Sequence, residues 1–247
     1  MGGAIFRRFA LFPLMLLMLL LLPAGMVAQK AASSSKYIAT YDSDTETLTF
    51  KKYTGESLPG NSAWVEDGTL VYWLNKDYLG RQDIKHIVLD ESFKTFTPTT
   101  LSRFFAYLTK LETITGLEYL NTANVTDMSL LFDNCQKLTS LDLTNFNTEK
   151  VTNMYRMFNA CSNLKTIYAS DKFTTAAVTE SEKMFSYCDS LSGELAWTSD
   201  KVADKTYATL DGGYFREKGV ADRPWVKYAD GTLTFRYGFK RTVDINR

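Results

Sequence analysis

Apolar residues return along the middle of this chain at a fixed period. Phe105, Phe132, Phe158 and Phe185 are 27, 26 and 27 residues apart, and two further columns keep the same spacing: Leu111, Leu138, Leu164, Leu191 and Thr95, Thr122, Thr148, Thr175. Four more apolar columns run with them: Ile87, Ile114, Leu141, Ile167; Phe93, Leu120, Phe146, Phe173; Pro98, Val125, Val151, Val178; and Phe104, Leu131, Met157, Met184. So many columns in four copies mark residues 84–193 as a repeat array, in which each copy is one supersecondary unit. The clearest copy, "LTSLDLTNFNTEKVTNMYRMFNACSN" at 138–163, opens Leu138-x-x-Leu141-x-Leu143. That alternation predicts a short strand. Its second half spaces Val151, Met154, Met157 and Phe158 at i, i+3, i+6 and i+7, which predicts one face of a short helix. The expected fold class is an α/β solenoid of strand, turn and short helix, with strands stacked in parallel about 4.8 Å apart. One such coil cannot bury its own apolar face, so stability must come from stacking and the end coils need covers.

The flanks read differently. Residues 37–53, "YIATYDSDTETLTFKKY", hold two β-favouring runs around a polar turn. Residues 225–239, "WVKYADGTLTFRYGF", centre on Asp230-Gly231, a strong hairpin signal. Tyr41 aligns with Tyr228, and "TLTF" at 47–50 with "TLTF" at 232–235, so the two hairpins look like copies of one module. Either each covers an end of the array, or the second begins another array that this sequence does not complete. The polar stretch between repeats and second hairpin, with its Gly212-Gly213 turn, is expected to link them with little regular structure. The organisation is then 1–28 leader, 29–83 N-terminal hairpin and cap, 84–193 repeats, 194–247 link and hairpin.

The leader changes the compartment. Arg7 and Arg8 precede "FALFPLMLLMLLLLPAG", followed by small residues up to Ala28. The apolar run is shorter than a membrane span wants, so it reads as a secretory signal peptide cleaved after Ala28, with a retained anchor as the alternative. Of the 28 basic and 28 acidic residues, the leader takes two arginines and no acid. The mature chain is therefore slightly acidic, which argues against nucleic acid or an anionic membrane as partner. Only the signal peptide touches a membrane in this reading.

Chemistry is sparse. His86, the single histidine, sits at a variable position in "IKHIVL", with no third group to orient it as a general base. "DSDTE" at 42–46 lacks the glycine and the terminal glutamate that a calcium loop needs, and reads as a hairpin turn. Glu180 and Glu182 could be imagined as an acid/base pair of a glycosidase, but Asp127, Ser129, Asn153 and Tyr155 hold the same positions in other copies. No cofactor and no metal site is expected, and no catalysis. What the array offers is a surface, because outward strand positions stack into columns: His86, Thr113, Ser140, Thr166, and beside it Val88, Thr115, Asp142, Tyr168. Cys135, Cys161 and Cys188 occupy one repeat position, where the first copy has Leu108. Three single cysteines a whole coil apart do not make a zinc site. They are expected to form a ladder of buried thiols behaving as small hydrophobes, with one oxidised pair as the alternative.

The repeat "LTSLDLTNFNTEKVTNMYRMFNACSNL" resembles that of BspA-like leucine-rich-repeat surface proteins, which share the pattern "NFxTxxVTNMxxMFxxCxxL". The resemblance spans the middle of the chain. It departs in lacking the strand-end asparagine, with Phe146 near that place, and in a degenerate first copy with Pro98 and Leu108. It implies leucine-rich-repeat-like coils in an exported bacterial protein, secreted or held at the cell surface, that binds a protein or glycan ligand in adhesion. The alternatives are a structural or assembly module of a larger surface protein and a secreted hydrolase.

Overall fold

The computed structural model describes residues 36–55, 57–65, 67, 83–193, 195–199, 201, 203–219, 223–229 and 232–238. The expected signal peptide and the Asp230-Gly231 turn lie outside the described residues. Strands β1 (Lys36–Asp42) and β2 (Thr47–Tyr53) form an antiparallel hairpin, with β3 (Ser62–Val65) on the other side of β1. β2 then pairs in parallel with β4 (His86–Leu89), and β4 with β5 (Thr113–Thr115), closing a mixed five-stranded sheet in the order β3-β1-β2-β4-β5. β6 (Ser140–Asp142), β7 (Thr166–Ala169) and β8 (Phe215–Glu217) make a separate three-stranded parallel sheet. Among the described strands, β9 (Arg223–Ala229) and β10 (Thr232–Gly238) pair only with each other.

The expected α/β solenoid of leucine-rich-repeat-like coils is corrected by this architecture. Among the described residues there is no α-helix, only three short 3-10 segments at Glu91–Thr95, Leu117–Tyr119 and Lys205–Tyr207, and the sheet is mixed and divided in two. The segments expected to be helical are runs of tight turns. In the second copy, Leu131, Asp133 and Cys135 donate to the carbonyls of Met128, Leu130 and Phe132, three residues back, at 3.1–3.3 Å. The N–H groups between them leave the coil: Met128, Leu130, Phe132 and Asn134 donate to Asn153, Tyr155, Met157 and Asn159 of the next copy, at 2.8–2.9 Å. A helix needs every N–H to reach four residues back within one segment. Here half of them find a partner on the neighbouring coil instead. The backbone permits this by turning left-handed twice per copy, at Arg103 and Tyr107, Leu130 and Asn134, Arg156 and Ala160, Lys183 and Tyr187, with φ between 53° and 62°.

Inward positions still follow the apolar columns, so the core is continuous. Phe105, Phe132, Phe158 and Phe185 are fully buried and stack ring on ring, with centroids 5.4–5.7 Å apart and planes within 21°. Each such ring contributes about 1.5–3 kcal/mol through burial. Edge-on rings close both ends of the stack: Phe50 of β2 against Phe105 at 6.0 Å, and Tyr214 and Phe215 against Phe185 at 5.1 and 6.1 Å. The polar stretch after the repeats is thus more than a link, since it supplies these two rings and strand β8. The threonine column has its own use. The hydroxyl of buried Thr148 donates to the Thr174 carbonyl and accepts from the Thr174 N–H, both at 2.7 Å, and Thr122 does the same with Asn147 at 3.0 and 2.8 Å.

Candidate functional site

The strand face is built by register. In the β4–β5 pair His86 lies opposite Thr113 and Val88 opposite Thr115; in β6–β7 Ser140 lies opposite Thr166 and Asp142 opposite Tyr168. Thr113, Thr115 and Ser140 are exposed, and His86, Val88, Asp142, Thr166 and Tyr168 are half-buried. The eight residues do not form one sheet, because β5 and β6 belong to different sheets. The first four sit on the mixed sheet beside the N-terminal hairpin, the other four on the parallel sheet ending in β8.

Each half has its own electrostatics. On the first, the His86 ring nitrogen Nδ1 is 2.8 Å from the Thr113 hydroxyl, and Lys85 pairs with Glu46 at 2.5 Å. On the second, Asp142 accepts from the Thr144 N–H and hydroxyl at 3.2 and 2.7 Å and pairs with Lys218, which follows β8. Burial disfavours the charge on Asp142, but these hydrogen bonds outweigh it and hold the carboxyl below its ordinary range. Tyr168 lies opposite Arg216 of β8, whose Nε donates to the Ser192 carbonyl at 3.0 Å. Lys218 and Arg216 join this face only through β8, and the polar composition of residues 198–224 hid that strand.

All three cysteines are fully buried and none is in a disulfide. Each thiol donates to a phenylalanine carbonyl of the preceding coil: Cys135 to Phe105 at 3.1 Å, Cys161 to Phe132 and Cys188 to Phe158 at 3.0 Å. Burial pushes the Cys161 thiol well above its ordinary value and Cys188 up to about 12.

On the turn side stands a group that the sequence did not announce. Asp133 is buried and accepts from Asn159 Nδ2 at 2.6 Å. Burial, then the charge of Asp133 and its hydrogen bond, push the Tyr107 hydroxyl up. One carboxylate thereby ties three successive coils together. Nearby, the guanidinium of Arg156 lies 5.4 Å from the Tyr155 ring, while Tyr107 and Tyr187 are exposed aromatics. Glu180 and Glu182 are both exposed, and Glu180 accepts from Asn153 at 3.1 Å, a contact between coils. Asp42 accepts from the Asp44 N–H at 2.9 Å, as a hairpin-turn residue does. Among the described residues no group of three or more histidine, cysteine, aspartate or glutamate side chains could hold a metal ion.

Coils joined by backbone bonds and tiled with outward polar columns define a repeat protein. Residues 92–218 match the family described as Mycoplasma protein of unknown function, DUF285. That span is just over half of the chain, and the chain belongs to this family. No curated protein and no solved structure matches it.

Proposed function

We propose that the protein is an exported, non-enzymatic binding module that engages a protein or glycan through the strand face. The observation that carries this reading is the register of β4–β5 and β6–β7, which lines up exposed hydroxyls and half-buried His86, Asp142 and Tyr168 on two patches, one on each sheet. Rigid elements hold these side chains, so little conformational entropy remains to be lost on binding. The leader and the likeness of the repeat to BspA-like surface proteins support export and adhesion. Exposed threonine and serine hydroxyls with a half-buried tyrosine suit a weakly charged polymer such as a glycan chain or an extended polypeptide.

The test is binding of the mature chain to arrays of glycans and matrix proteins. Saturable binding that falls at least tenfold in a Thr115→Arg or Tyr168→Ala variant of unchanged melting temperature is the expected result. Binding that both variants retain in full, or no saturable binding, would sink the proposal.

A further inference from the structure

The two hairpins share more than four letters. In β1–β2, Tyr41 lies opposite Leu48, Thr40 opposite Thr49 and Ala39 opposite Phe50. In β9–β10, Tyr228 lies opposite Leu233, Lys227 opposite Thr234 and Val226 opposite Phe235. Sequence "TLTF" and register coincide over both ladders, so β10 is β2 repeated.

What β2 does is visible. Its outer edge takes β4 in parallel, Leu48 opposite Ile87 and Phe50 opposite Leu89. Leu48 and Phe50 are fully buried, with the Phe50 ring 5.5–6.0 Å from Phe93, Phe104 and Phe105 of the first coil. β10 presents the same sequence in the same register, yet pairs with β9 alone among the described strands. A strand edge with alternating apolar residues is a template for another strand.

We propose that β9–β10 is a second docking hairpin, whose β10 edge takes, in parallel, the β4 strand and first coil of a second copy of this chain. The occupant is argued from continuity: β4 is the strand that the twin hairpin holds in this structure. The contact is heterologous, hairpin of one copy to first coil of the next, so it builds open rows of chains, or a closed pair where two copies exchange reciprocally. In each copy the resident β1–β2 hairpin competes from within the same chain, with the advantage of a high effective concentration. The exchange therefore becomes strong when that competitor is weakened. The β10 edge is separate from the strand-face residues proposed above, whereas the β4 that it takes carries His86 and Val88 of that face.

Leu48→Asp in the full mature chain disables the resident hairpin and leaves β10 intact. Sedimentation velocity should then show dimers and longer species that grow with concentration, and at least a tenfold loss of association on adding Leu233→Asp. If Leu48→Asp stays monomeric up to the highest soluble concentration, or associates equally with Leu233→Asp present, the proposal is overturned. Should Leu48→Asp fail to fold, a chain with residues 36–53 replaced by a second copy of residues 223–238 decides. Cooperative melting within a few degrees of the parent supports docking of β10 on β4, and melting no more cooperative than that of Leu48→Asp refutes it.

Discussion

Cys188 shows how a residue's meaning is set by what surrounds it. In the unfolded chain its thiol loses the proton near 9.0, whereas in the fold it holds on until about 12. Between those values the folded state binds more protons, so stability falls as pH rises. The loss is about 1.4 kcal/mol per unit across that window, and nothing is lost below it. Chemical denaturation of wild type and Cys188→Ala between pH 8 and 11 should show a shallower decline in the variant, and equal slopes would refute this account. The burial of this column was legible in the sequence because Leu108 stands in it. Asp133 was not: its column holds Ala106, Asn159 and Ser186, and no pattern in four letters tells a buried carboxylate shared by three coils from a solvated one.

At the scale of the element, the instructive difference is between helix and turn ladder. Buried side chains at i, i+3, i+6 and i+7 are the signature of a helix face, and a run of turns that faces the core every third or fourth residue leaves the same signature. Hydrophobic period alone cannot tell them apart. The deciding quantity is where each N–H goes, and neighbouring coils supply acceptors that an isolated segment lacks. The cost is a left-handed backbone at residues other than glycine, about 1–2 kcal/mol each. Lys183 has φ 59° and an exposed side chain, so Lys183→Gly relieves that strain without opening a cavity. A gain of about 0.5–1 kcal/mol in urea-denaturation stability is expected after the unfolded-state entropy of glycine is deducted. A loss of stability would mean that the lysine stabilises the turn in some other way.

For the whole molecule the ends matter most. The hairpin at the first coil was readable from "TLTF" and its flanking alternation, but the cover at the last coil was not, since Tyr214 and Phe215 lie among polar residues outside the period. The chain reaches them by a close backbone approach: a Cβ on Gly193 would come within 2.4 Å of the Tyr214 carbonyl carbon and 2.5 Å of the Gly213 oxygen. Gly193→Ala should force the two segments apart, lower stability by about 1–3 kcal/mol and speed amide exchange in β8 before any other strand. Unchanged exchange in β8 would show that the last coil does not depend on this cover.

Most inter-coil bonds of the turn segments run one way, against a minority in which Thr126, Thr152 and Thr179 donate back to Thr99, Thr126 and Thr152. At each of three junctions four N–H groups, from Leu101 to Tyr107, Met128 to Asn134 and Met154 to Ala160, point towards the later coil, and the carbonyls that receive them point back. The peptide units so aligned add their dipoles along the stack, as they do along the axis of a helix, although here the chain runs across that axis. The array therefore has a negative pole at its first coil and a positive pole at its last, where the exposed carboxylates of Glu180 and Glu182 stand.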